Sequence, residues 1–175
     1  EGLHYKEIAK RIDGSPLISG EALLRLCEDS TVLTANKIDA ENCEGYLFPD
    51  TYRFAKGRQP AEIVAAMIKR HHDLFDREIE PKRASTGLTK HQLVTLASIV
   101  EKETGAEEER PRIARVFLNR LKLRIPLATD PTVIYAVLKQ KGSFDGNLKR
   151  EHLVADIPYN TYKRAGLPPG PISNP

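Results

Sequence analysis

The stretch from Thr89 to Gly105 constrains this chain more than any other. Thr89-Lys90-His91-Gln92 has capping-box spacing, with Thr89 as N-cap and Gln92 at the third helical position. Leu93, Val94, Leu96, Ala97, Ile99 and Val100 then recur at helical spacing, and Gly105 ends the run. Such a helix must bury a face. On a helical wheel, Leu93, Ala97 and Val100 mark the centre of that face. Glu101 falls one turn beyond Ala97, on one shoulder. Glu103 falls on the opposite shoulder, near Leu96 and Ile99, and Lys102 points away. A carboxyl group beside apolar surface is desolvated, which favours its protonated form. A carboxyl that keeps a proton near neutral pH can act as a general acid. The plainer reading is a boundary carboxylate that reaches out of a core helix to solvent. Spacing does not choose between Glu101 and Glu103.

The 175 residues suffice for one domain, or for one domain with a small companion. A hydrophobic fraction of 40% with 29% charged residues suits a globular chain. The net charge of +3 is too weak to argue for nucleic acid, and Lys and Arg form no dense run. Cys27 and Cys43 stand 16 positions apart with no C-x-x-C and no nearby His pair. Both a disulfide, in an oxidising compartment, and two buried thiols fit. No apolar run approaches the roughly 20 residues that span a bilayer, and no signal peptide is visible. Both ends read as cut, as in a fragment of something longer.

Elsewhere the periodicity predicts further helices. Ile8, Ala9 and Ile12 suggest one over Tyr5 to Ile12; Ser19 can cap a second through Ala22, Leu23, Leu26 and Cys27. Residues 44–54, rich in aromatics and broken by Pro49-Asp50, read as two short extended pieces about a turn. A helix is predicted from about Ala61 to Asp76. Another has Pro111 near its first turn and Ile113, Val116, Phe117 and Leu121 as its apolar stripe. Asp130 as N-cap and Pro131 as first residue open a helix through Val133, Ile134, Val137 and Leu138, and a short one is expected near Leu148 to Leu153. From Ile157 onward the chain reads as loop.

Thr129 and Asp130 are explained by capping alone. Tyr159, Asn160 and Tyr162 can be a rigid surface turn, or a loop that meets sugars through aromatic faces and polar tips. The Pro168-Pro169-Gly170-Pro171 run would hold such a loop in place. His71, His72 and His91 lack metal-ligand spacing, no Ser-His-Asp set is apparent, and no Gly-rich phosphate loop is present. No metal or cofactor is therefore expected.

Five motifs occur together and in order: Glu44-Gly45-Tyr46-Leu47-Phe48-Pro49-Asp50-Thr51-Tyr52, Leu96 to Thr104, Arg115 to Leu121, Thr129 to Tyr135, and Pro158 to Tyr162 continuing through Gly166 to Ile172. From about residue 40 onward the chain resembles the YceG-like family, the endolytic peptidoglycan transglycosylases of bacteria. The resemblance implies an α+β, helix-rich catalytic domain with short strands over residues 41–175, truncated at its C-terminus. Residues 1–40 would be the end of a small LysM-like subdomain. It further implies that Glu101 is the catalytic acid/base, which breaks the tie with Glu103. Asp130, Thr129, Tyr159, Asn160, Tyr162 and Glu103 would then belong to the substrate groove.

The implied reaction is cleavage of the β-1,4 bond between N-acetylmuramic acid and N-acetylglucosamine within glycan strands, giving 1,6-anhydro ends. Implied partners are peptidoglycan strands and peptidoglycan synthases. The family is held in the cytoplasmic membrane by one N-terminal helix, absent from this chain, with the catalytic part on the periplasmic, cell-wall side. The pattern departs at Ala128, where Gln is expected in many members. If that Gln touches substrate, this chain lacks the contact. Two rival readings stay open: a muramidase that uses water, and a non-catalytic peptidoglycan-binding module.

Overall fold

The computed structural model describes residues Glu1–Pro175. Backbone contacts divide it into two compact units: Glu1–His91 with Ser173–Pro175, and Gln92–Ile172.

The first unit opens with α1 (Tyr5–Ile12), α2 (Gly20–Glu28) and α3 (Ser30–Ala35). His4 caps α1: its Nδ1 accepts from the Glu7 amide at 3.2 Å, while the Glu7 carboxylate accepts from the His4 amide at 3.0 Å. Ser19 caps α2 through the Ala22 amide, as expected from its spacing. The two helices pack together at Gly20, where a Cβ would come within 2.5 Å of the Ala9 carbonyl oxygen. Only glycine permits that approach. The long helix α4 (Pro60–Leu74) continues into a π-helical turn, Phe75–Ile79, the short α5 (Glu80–Arg83) and a 3-10 turn, Ala84–Thr86.

One apolar core runs from Tyr5 and Ala9 through Leu23, Cys27, Leu33, Cys43 and Leu47 to Ile63, Val64 and Ile68. It crosses residue 40 without a break. Cys27 and Cys43, both fully buried, form a disulfide inside it.

Residues 44–54 depart from the expected strands, and the α+β expectation is corrected here to a helical fold without a sheet. Leu3 and Asn174 form one isolated antiparallel bridge, and no strand is present. The reason lies in where the backbone groups of this segment find partners. The Leu47 amide donates to the Asn174 side chain at 2.8 Å, and the Phe48 carbonyl accepts from the Tyr52 hydroxyl at 2.7 Å. Pro49 has no N–H to offer a ladder. Side chains thus satisfy what a neighbouring strand would have satisfied. Buried Glu44 adds to this, accepting from the Tyr5 amide at 3.0 Å and from Asn174 Nδ2 at 2.8 Å.

The second unit takes in α6 (Lys90–Glu103) from Gln92 onward, then a 3-10 turn (Glu107–Glu109), α7 (Arg110–Lys122), α8 (Asp130–Lys141) and α9 (Arg150–Val154). Helix α6 begins one residue after Thr89, where the capping spacing puts it. Its burial differs from the wheel. Val94, Thr95, Leu96, Ser98, Ile99 and Val100 are buried, whereas Ala97 is exposed and Leu93 half-buried. The helix is covered around most of its circumference, not along one stripe, and small polar residues lie inside. Ser98 Oγ donates to the Thr95 carbonyl at 2.7 Å and accepts from the Ile172 amide at 3.0 Å. On α7 only Phe117 is buried, and Val116, assigned to the apolar stripe, is 51% exposed.

Candidate active site

Glu101 stands in the last turn of α6. Its side chain is only 13% exposed. Ala97, one turn earlier on the same side of the helix, is open to solvent, with half-buried Leu93 a turn before that. Along the line Leu93–Ala97–Glu101 the middle of the helix is uncovered at Ala97, while Gln92, Lys102 and Glu103 are exposed nearer its ends.

Arg110, the first residue of α7, faces Glu101. Its Nη2 lies 3.1 Å from one carboxylate oxygen and 3.3 Å from the other. The connecting turn is fixed by short bonds. Thr104 Oγ1 donates to Glu109 at 2.7 Å and accepts from the Ala106 amide at 3.0 Å. The Arg110 Nε–H is buried and meets no acceptor within the protein. A buried donor without a partner is destabilising by about 1–3 kcal/mol. Sequence reasoning did not single out Arg110. A cue existed: a cation at the first position of a helix opposes the helix dipole, so some other charge must hold it there.

Glu103 turns to a different neighbour. The Thr129 hydroxyl donates to it at 2.6 Å. Thr129, not Asp130, is the N-cap of α8, and Pro131 is the second residue of the helix. Because the hydroxyl is engaged with Glu103, Thr129 makes no side-chain cap. Ala128 just before it adopts a left-handed backbone, φ 48°, and its amide donates to the Thr161 carbonyl at 3.0 Å.

The turn that follows α9 is bound to this corner. Thr161 Oγ1 accepts from the Thr129 amide at 3.2 Å and bonds Thr132 Oγ1 at 2.8 Å, all three residues being buried. Tyr162, 38% exposed, donates its hydroxyl to Asp130 at 2.7 Å. That bond, together with partial burial and the nearby charges of Asp130 and Glu103, pushes the Tyr162 phenol up to about 12, against the opposing charge of Arg120. Tyr162 is thus a hydrogen-bond donor at any ordinary pH.

Asn160 and Tyr159 sit differently from a sugar-facing surface. Asn160 is fully buried; its Nδ2 lies within 3.1 Å of the carbonyls of His152, Leu153 and Ala155, and its Oδ1 accepts from the Tyr162 amide at 2.9 Å. The side chain closes the C-terminal end of α9 and aims the backbone at Tyr162. Tyr159 is buried against Tyr135, ring centres 4.9 Å apart, with Lys139 Nζ 5.2 Å from its own ring centre. Of the residues singled out in the sequence, Glu103, Asp130 and Tyr162 keep polar atoms at the corner. Thr129 and Asn160 hold it in shape together with Thr161, which the sequence did not single out. Tyr159 packs away on Tyr135, and Glu101 faces Arg110.

A helical unit that presents one mostly buried carboxylate beside a cation, with a second carboxylate of the same helix held by a threonine-rich corner, defines a class of candidate acid/base site. The family follows from comparison. The YceG-like family model matches residues 1–175, and the chain belongs to that family. It is 37% identical to the endolytic murein transglycosylase of Bacillus subtilis over 192 aligned positions, covering 99% of this chain and 51% of that protein. It is 36% identical to the endolytic murein transglycosylase of Streptococcus pneumoniae strain D39 over 140 positions, covering 75% of this chain and 24% of that one. A crystal structure of a yceG-like protein from Listeria monocytogenes superimposes with a TM-score of 0.85 at 32% identity, over 99% of this chain and 61% of that one. The chain thus spans about half the length of the Bacillus relative and a quarter of the Streptococcus one.

Proposed function

We propose that this chain carries the acid/base centre of an endolytic lytic transglycosylase acting on peptidoglycan, with Glu101 as the catalytic group. The observation that carries the reading is the position of Glu101, mostly buried yet one turn beyond exposed Ala97. The kinship with proteins named endolytic murein transglycosylases supports the substrate class.

The chemistry needs one carboxyl group. Protonated Glu101 gives its proton to O4 of the departing N-acetylglucosamine as the C1–O4 bond breaks. The C6 hydroxyl of the N-acetylmuramic acid attacks its own C1, and the new C1–O6 bond closes a 1,6-anhydro ring. Glu101, now ionised, takes the proton from that hydroxyl. The tethered nucleophile needs no second carboxylate to activate a water, and its effective concentration is high. Tyr162, Asp130 and Glu103 supply a donor and acceptors for sugar hydroxyls at the Thr129 corner, and Thr129, Asn160 and Tyr159 position them.

The reading places the chain on the cell-wall side of the cytoplasmic membrane, near peptidoglycan synthases. The Cys27–Cys43 disulfide supports an oxidising compartment. No helix here is long and apolar enough to cross a membrane, so the reading assigns the anchor to a helix outside residues 1–175. It also takes residues 1–40 as the end of a LysM-like subdomain, for which the α1–α2 pair is the support.

The test is Glu101→Gln, a near-isosteric change that removes the proton. Mass spectrometry of digested glycan strands should lose all 1,6-anhydro ends, while Glu103→Gln reduces them less. Anhydro ends at the normal rate from Glu101→Gln would end the proposal. Reducing ends carrying the mass of water would instead mark a muramidase.

A further inference from the structure

We infer that Arg110 is the positioning residue that holds Glu101 in its ionised state between the two proton transfers, an inference that rests on the acid/base reading of Glu101. Both oxygens of the carboxylate lie within 3.3 Å of one guanidinium nitrogen, in a setting where the carboxylate is 13% and the arginine 32% exposed. Water therefore screens the pair only in part, and a charge-assisted contact of this kind is stronger than one at the surface. The arginine's Nε–H is buried without an acceptor, so that nitrogen does not tie it elsewhere. The turn that delivers it is stiffened by the Thr104–Glu109 and Ala106–Thr104 bonds.

The timing follows from the reaction. In the first transfer the proton leaves Glu101 for O4, and a cation beside the carboxyl favours that step by stabilising the carboxylate it leaves behind. Once the proton has gone to O4, the carboxylate is negative and unprotected until the C6 hydroxyl returns one. Arg110 stabilises that interval and fixes the orientation of the carboxylate. It touches no substrate atom in this role, so its loss slows turnover and leaves substrate affinity alone. No atoms or electrons beyond those of the transfer already described are involved.

The experiment compares Arg110→Met, which keeps length and removes charge, with Arg110→Lys, which keeps charge, and with Glu101→Gln, all in the full chain. Release of anhydro ends from purified glycan strands gives kcat and KM, and thermal melting verifies folding. The expected result is a kcat for Arg110→Met at least about tenfold below that of Arg110→Lys, with KM within about twofold. Millimolar guanidinium should also raise the turnover of a folded Arg110→Ala but not that of Glu101→Gln. Equal kcat for the Met and Lys variants, or a loss carried wholly in KM, overturns the role given to Arg110. If Arg110→Met turns over normally while Glu101→Gln is dead, only this inference fails. If Glu101→Gln turns over, the acid/base reading beneath it fails first.

Discussion

Thr129 donates its hydroxyl to Glu103 at 2.6 Å, and in doing so leaves its own helix uncapped. An N-cap threonine ordinarily turns back to an amide of its first turn. Here the hydroxyl joins the end of α6 to the start of α8, so two helix termini that carry the candidate groups share one bond. Thr129→Val keeps the shape and removes that bond. The expected loss is about 1–2 kcal/mol, read as a lower denaturant midpoint with unchanged slope. Thr129→Ser should recover most of it. A valine variant as stable as the parent would show that the bond contributes nothing in solution.

Asn160 is expected to matter for stability more than for chemistry. Its amide serves three carbonyls at the end of α9, at 3.1, 3.0 and 2.7 Å. Asn160→Ala leaves the His152 and Leu153 carbonyls without this donor, while Ala155 keeps the Ile157 amide, a loss of about 2–3 kcal/mol. Asn160→Asp should be worse, because it sets a negative charge against three carbonyl oxygens. Calorimetry of the two variants gives the order. An aspartate variant that melts above the alanine one would contradict this account of the turn.

Tyr162 gives a pH signature. Its phenol is pushed up from 10 to about 12, first by the bond to Asp130. A folded-state value above the unfolded one means that the contact adds stability fully below pH 10. That contribution is lost as pH rises through about 12. Ultraviolet phenolate titration of the parent minus Tyr162→Phe should isolate one group with a midpoint near 12. A difference curve centred near 10 would mean that the Asp130 contact is not maintained.

The disulfide should stabilise the first unit. Cys27 and Cys43 close a loop of 16 positions in a buried core. Chain-entropy arguments give about 3 kcal/mol for a loop of that size. Reduction, or Cys27→Ala with Cys43→Ala, should lower the melting temperature by several degrees. It should leave the second unit's tyrosine titration as it was. No change in melting on reduction would show that the bridge is not formed in the folded protein.

Much of the helical layout was legible without coordinates. Periodicity located α1, α2, α4, α6, α7 and α8, because each carries apolar residues that recur every three to four positions, and Ser19 and Thr89 marked where two of them begin. The errors came where that logic lacks purchase. Aromatic-rich residues 44–54 have strand composition, yet Asn174, distant in sequence, takes the Leu47 amide and leaves no ladder to build. Val116 was counted into an apolar stripe that the fold leaves in solvent.

By itself, then, the sequence determined the longer helices, though not Ser30–Ala35 or Glu80–Arg83, and that Glu101 and Glu103 end one of them. These are local properties, set by neighbours within one or two turns. Only the tertiary structure decided which side of α6 stays open, that Arg110 meets Glu101 while Thr129 meets Glu103, and that Asn160 closes a helix end. Those outcomes depend on groups that are far apart in the chain and meet only after packing. A helix covered around most of its circumference carries no one-dimensional record of its uncovered edge.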